Sequence, residues 1–245
     1  MISRRDFLGT SLAAGASLAL TPELLHALQQ SGGQLIQRAI PSSGEMLPAI
    51  SFSPREEADE AVMKEILETF LSNGGKVVDV LHGGPVGEQE ARTAANALGI
   101  HDKFFWTTPL QTAGPGGPGK PPTQFDTAAV KAALEEKLAT LKKVDLVMIG
   151  AGADSKQIAV LQEMKKAGRI KYIGVHELLF PANASNPPWP PASRLEALMR
   201  NEQIDFIGTD YHAGDRRLEE KILPLAQERK TGVMAYFTFD RGRLF

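Results

Sequence analysis

The sequence predicts an α/β barrel of the TIM (β/α)8 type that is one strand short, with seven strands and six intervening helices. Three observations predict it. Short β-branched or aromatic runs alternate strictly with amphipathic helical stretches, which implies parallel strands joined by right-handed crossovers. Seven strands with six crossovers suit a barrel better than an open sheet, although the usual barrel has eight. Two long loops, 109–125 rich in Gly and Pro and 177–191 rich in Pro, each follow a strand, which in a barrel puts them at the mouth where chemistry is placed.

Taken in order, residues 29–44 are polar and turn-rich and read as a linker into the domain. The first strand is 48–52 (Pro-Ala-Ile-Ser-Phe), followed by a helix over 56–72. Strand two, 76–80 (Lys-Val-Val-Asp-Val), precedes a helix over 87–98. In strand three, 104–108, Phe104 and Trp106 alternate with Phe105, and Phe104 and Trp106 read as core. The helix over 126–142 carries Val130, Ala133, Leu134, Leu138 and Leu141 at spacings of three and four, one apolar stripe. Strands 144–149, 171–175, 204–208 and 232–236 follow, separated by helices over 155–167, 192–201 and 217–229. Arg216, Arg217, Glu219 and Glu220 read as the solvated first turn of the last helix.

Composition narrows the function classes. Of 245 residues, 42% are hydrophobic and 23% charged, an ordinary globular balance. The formal charge of -2 gives no field for drawing in nucleic acid, so none is expected as a partner. Cysteine is absent, which removes disulfides, thiolate nucleophiles, Fe–S clusters and Cys zinc sites but leaves His and carboxylate metal sites open.

The N-terminus reads as an address. Ser3-Arg-Arg-Asp-Phe-Leu-Gly9 opens an uncharged, Ala- and Gly-diluted apolar stretch from Phe7 to Leu20. That stretch falls short of the ~20 residues a membrane helix needs, so no stable membrane span is expected. Ser3, Arg4, Arg5, Phe7 and Leu8 fall where a twin-arginine export signal has them, and Gly9 departs where Lys is common. The segment 1–30 resembles such a signal, leaving 31–245 as the barrel domain, and the resemblance implies a periplasmic protein.

Four pieces carry a second resemblance: Ile40-Pro-Ser-Ser-Gly-Glu-Met-Leu-Pro48, Gly74-Gly-Lys-Val-Val-Asp79, Lys166-Ala-Gly-Arg-Ile-Lys-Tyr-Ile-Gly-Val175, and Ile222-Leu-Pro-Leu-Ala226 through Ala235-Tyr236 to Gly242-Arg-Leu244. In this order and spacing, from residue 38 to 245, they resemble the aldo/keto reductase family. The resemblance implies NADP(H), a small-molecule ligand and a catalytic set of four at the barrel mouth: a Tyr as proton donor, a Lys that lowers its pKa, an Asp pairing with that Lys, and a His that orients the carbonyl. A phenol titrating near 10 needs such a perturbing cation. Here Asp79 keeps the Asp position, while Gly84, Pro109 and Gly150 occupy those of the Tyr, Lys and His. On the cofactor side, Tyr236 stands where an aromatic ring stacks on the nicotinamide. His176 and Glu177 replace a Ser-Asn pair, and Gly208 replaces a Gln. The family's eighth strand, which grips the adenosine phosphate, is expected to be missing beyond Phe245, so NADPH binding is expected to be weak.

Other constellations carry less. Gly114, Gly116 and Gly119 meet the Gly-x-Gly-x-x-Gly spacing, but Pro115 and Pro118 interrupt it and the helix starts only near Asp126, so a plain loop is expected. His82, His176, Asp210 and His212, with Asp79 and Glu177, fall at or past strand ends and offer a speculative Zn²⁺ or Mn²⁺ set, weighed against chance clustering in loops. His26 and His101 read as surface. No nucleophile elbow supports a Ser–His–Asp set. Three functions remain: an exported reductase with little or no activity, a non-catalytic binding or scaffold protein on the same fold, and a metal-dependent barrel enzyme.

Overall fold

The computed structural model describes residues 35–54, 59–81, 84–114, 123–177 and 193–239. Arg4, Arg5, His26, His82, residues 115–122, most of the loop 177–191 and Gly242 lie outside these, and so do the expectations that fall on them.

Seven parallel strands form one curled half-barrel in strictly sequential order, with helices between them. They are β3 (Ser51–Phe52), β4 (Val77–Asp79), β5 (Phe105–Leu110), β6 (Leu146–Gly150), β7 (Tyr172–Glu177), β8 (Phe206–Asp210) and β9 (Gly232–Tyr236). The helices are α1 (Glu60–Ser72), α2 (Gly84–Ala97), α3 (Thr127–Thr140), α4 (Ser155–Lys166), α5 (Ser193–Asn201) and α6 (Ile222–Glu228). The incomplete barrel expected from the sequence is what the chain forms. Among the described residues β3 and β9 each keep one unpaired edge, and an open seam runs between them.

One expectation is corrected at the N-terminal end. Within the stretch read as a linker, β1 (Gln37–Ala39) pairs antiparallel with β2 (Met46–Pro48). The turn closes through Gly44, whose φ of +78° suits a residue without Cβ. The polar turn residues that suggested a linker are those a hairpin loop requires. Glu45 and Ser43 fasten the hairpin to the barrel. The Tyr172 hydroxyl donates to Glu45 Oε2 at 2.6 Å and lies 2.8 Å from Ser43 Oγ, while Lys171 Nζ reaches Glu45 at 2.7 Å.

The helices start where capping side chains satisfy their first free N–H groups. Asp59, Asp126 and Asp154 accept from Val62, Ala129 and Gln157 respectively, and Asp154 with Gln157 forms a reciprocal capping box. The last helix departs from its expected 217–229 range: residues 217–220 form a 3-10 turn and α6 begins at Ile222. Arg216 pairs with Glu219, and Arg217 with Asp215, on the exposed side of that turn.

Strand alternation sorts the core. Val78, Trp106, Val147, Ile173 and Ile207 pack against the helices, in two clusters with Met63, Leu67, Leu134, Ile158 and Leu161. Val77, Phe105, Leu146, Met148, Tyr172 and Phe206 form a third cluster, together with Ile40 before the hairpin turn, which fills the lumen floor. Phe104 and Trp106 are buried against the helices as expected, and Phe105 is buried too, on the lumen side.

Candidate functional site at the barrel mouth

The same parity that puts Phe105 and Phe206 on the lumen floor carries up to the C-terminal strand ends. It places Asp79, Thr107, Pro109, Gly150, His176, Gly208, Asp210 and Tyr236 on the lumen face. Strand register sets them side by side: Asp79 opposite Thr107, Gly150 opposite His176, His176 opposite Gly208, and Asp210 opposite Tyr236. Asp79, Pro109, Gly150, His176 and Tyr236 therefore share the mouth. Gly84 lies apart from the strand ends, as the first residue of α2, at a φ of +64°.

Asp79 is 2% exposed. Its Oδ1 accepts from the Thr107 hydroxyl at 2.5 Å and from the Leu81 N–H at 3.1 Å. Thr107 escapes a sequence reading, because only the register of β4 against β5 makes it the partner of Asp79. The third neighbour of Asp79 is Tyr236. Burial holds the Tyr236 phenol well above its usual value, and the charge of Asp79 and a hydrogen bond to it push in the same direction. The Tyr236 ring lies across Gly208, where an added Cβ would come within 2.5 Å of it.

Chemically, this arrangement opposes acid–base work. A phenol beside a carboxylate in a buried site is a weaker acid than in water, the reverse of what a cation would do. On the same face of the mouth, Pro109 and Gly150 bring no side-chain proton donor. Gly150 is not compelled by packing, since a Cβ there would meet nothing within 4 Å. It opens instead on a cavity of about 910 Å³, bordered by Pro109, Gln111, Gln124, His176, Glu177 and Arg194.

Glu177 points from β7 to the helix side. It is 7% exposed, and among the described residues its Oε2 has no hydrogen-bond partner. Burial pushes its carboxyl up, against opposing contributions from the Leu195 backbone and the Arg194 charge. His212 is engaged in its own loop, where its Nδ1 accepts from the Gly214 N–H at 3.1 Å and its residue bridges to Asp215. Among the described residues no three His, Asp or Glu side chains come together. His82, a member of the speculative metal set, lies outside them.

The expectation for His101 is corrected. It is 4% exposed, stacks on Trp106 at 5.0 Å and sits 3.3 Å from the Arg92 guanidinium. Arg92 is itself buried, bonded to Glu88, Thr108 and the Lys143 carbonyl, and lies over the Trp106 ring at 4.4 Å. Spacing shows Glu88 and Arg92 one turn apart, but not that the second layer of the barrel closes over them. The loop after β5 is pinned at its base, where Gly114 bonds to Thr123 and Phe125 to Thr112, and α3 starts after Asp126 as expected.

Residues 1–21 match the twin-arginine translocation pathway signal sequence. No curated protein matches the chain. Solved structures with the same fold include a protein assigned as a 2,5-diketo-D-gluconic acid reductase B, at 22% identity and a TM-score of 0.61 over 85% of this chain and 68% of that one. An assigned aldo-keto reductase from Pseudomonas aeruginosa aligns at 14% identity and 0.63, over 84% of this chain and 80% of that one. The glycerol dehydrogenase of Gluconobacter oxydans aligns at 19% and 0.62, over 84% of this chain and 64% of that one. At these identities the likeness is one of fold. No helix among the described residues is long and apolar enough to cross a membrane.

Proposed function

We propose that this chain is an exported descendant of the NADP-dependent aldo/keto reductases, delivered to the periplasm, in which carbonyl reduction has been lost. The observation that carries the reading is the neighbourhood of Asp79: its partners are Thr107 and Tyr236, while Pro109 and Gly150 supply no proton donor. General acid catalysis is typically worth ~10²–10⁴-fold, and these groups act as a unit. NADP(H), which the fold family implies, does not fit the residues present. Tyr236 is 7% exposed with its ring laid across Gly208, so it offers little face for stacking, and Gly208 has no side chain to hold a carboxamide.

The test is a fluorescence titration with NADPH alongside an aldehyde-reduction assay. The expected result is binding weaker than ~1 mM and no turnover of generic aldehydes above background. Micromolar affinity, or turnover abolished by Asp79→Asn, would overturn the reading.

A second reading, a binding protein on the same fold, is favoured by the cavity beside Gly150. Its ~910 Å³ lies within the ~300–1,000 Å³ of small-molecule sites, and polar groups at its edge could orient a ligand. Screening neutral and charged metabolites by thermal shift, with Gly150→Trp as the filled-cavity control, tests it. A stabilising ligand insensitive to Gly150→Trp would place binding elsewhere.

A further inference from the structure

The cavity beside Gly150 reaches from the ends of β5, β6 and β7 to α5, where Ala197 and Leu198 border it. Among the described residues that line it, Glu177 is the one acid and Arg194 the one arginine or lysine. Leu110, Ala151, Ala153 and Leu198 make much of the remaining wall apolar, and Gln111 and Gln124 add carboxamides on the β5 side.

Glu177 is the group that nothing in the fold uses up. Its side chain is buried, and the Leu195 backbone at the start of α5 hydrogen-bonds the carboxylate. Its Oε2 nevertheless has no partner among the described residues. A buried acceptor left unpaired costs free energy, and native structures keep few of them. Because this oxygen borders the cavity, a ligand can bring the missing donor. Burial disfavours charge on this carboxyl, so a cationic donor, which restores that charge, answers it best. Arg194 directly precedes Leu195, and its charge acts on Glu177. A positive and a negative group therefore lie close together at one end of the cavity. A bare cation there meets the repulsion of Arg194, and a bare anion that of Glu177. A ligand with both charges on neighbouring atoms meets neither penalty.

We propose that this cavity takes an α-amino acid with an apolar side chain, its ammonium donating to Glu177 Oε2 and its carboxylate facing Arg194. This ligand class rests on the binding-protein reading of the same cavity. An α-amino acid carries its two charges on one carbon, as Glu177 and Arg194 flank one helix start, whereas a peptide holds its charged ends apart. The side chain then lies against Leu110, Ala151, Ala153 and Leu198, where removing apolar surface from water adds affinity.

Isothermal titration calorimetry of the full-length protein tests this with L-leucine, L-methionine and L-phenylalanine, each beside its decarboxylated amine and its deaminated acid. At least one amino acid should bind with Kd below ~1 mM, and its two truncated analogues about tenfold more weakly or worse. Glu177→Gln keeps the shape of the side chain and removes its charge. It should weaken the amino acid about tenfold or more, the worth of a hydrogen bond to a charged group, and spare the deaminated acid. Arg194→Gln, at an exposed position, should weaken the amino acid and spare the decarboxylated amine. Equal binding of the truncated analogues, affinity untouched by Glu177→Gln or by Arg194→Gln, or no binding of any amino acid would overturn the proposal. If other metabolites bind in a manner sensitive to Gly150→Trp while no amino acid does, the ligand class fails and the binding-protein reading stands. If nothing binds, both fail.

Discussion

A buried carboxylate must find donors, and the donors it finds decide what it does. Asp79 is satisfied by a threonine and a backbone N–H and raises the tyrosine beside it, so it acts as a structural anchor for Tyr236. The tight fit of that ring over Gly208 gives a first prediction. Gly208→Ala should cost about 1–3 kcal/mol in urea unfolding, as overpacked sites do. An unchanged midpoint would show that Tyr236 moves away freely. The Arg92 cluster gives a second. Arg92→Met leaves Glu88, 6% exposed, without its main counter-charge, and should cost roughly 3 kcal/mol, with Lys137 at 3.4 Å limiting the damage. The double variant Arg92→Met with Glu88→Met should be less destabilised than the single one. A double variant that loses the sum of both single effects would argue against a coupled pair.

At the scale of elements, the β1–β2 hairpin is tied to the barrel floor by groups that titrate in opposite directions. Tyr172 is pushed up to about 12, by burial first and then by its bond to Glu45. Its contribution is present below the unfolded value near ~10 and is lost as pH rises through about 12. Glu45 is lowered: burial works against this, but the hydrogen bonds from Lys171 and Tyr172 outweigh it. Its contribution is present above the unfolded value near ~4.3 and is lost as pH falls through the lower folded value. The hairpin should therefore be held best between these limits. Hydrogen exchange of the hairpin amides should quicken, relative to the barrel strands, at both extremes. Tyr172→Phe should remove the alkaline limb and cost about 1 kcal/mol. A hairpin whose relative protection ignores pH would contradict the coupling.

At the scale of the whole molecule, two expectations concern export and cofactor. Replacing Arg4 and Arg5 by lysine should hold the protein in the cytoplasm, as read by cell fractionation, because the paired arginines carry the signal. Export unchanged by both substitutions would remove the basis for a periplasmic site of action. NADPH affinity, measured as above, tests whether an open barrel with Tyr236 laid over Gly208 still holds a dinucleotide.

Much of this architecture is legible one residue at a time. Period-two apolar runs and capped amphipathic stretches act locally, so the seven barrel strands and their order follow from the sequence, and strand parity alone puts Asp79, Gly150, His176 and Tyr236 on one face. The hairpin escaped because its signal is turn chemistry, which a linker shares. His101 escaped because burial of a polar ring depends on distant partners: Trp106 beneath it and Arg92 from another element. Only the folded chain decided that Thr107 serves Asp79, that Tyr236 closes over Gly208, and that Glu177 borders the cavity beside Gly150. Each of these depends on register and on side chains far apart in sequence meeting in a closed space. Local pattern determines which elements form and which face turns inward; what meets what across the lumen is settled by packing.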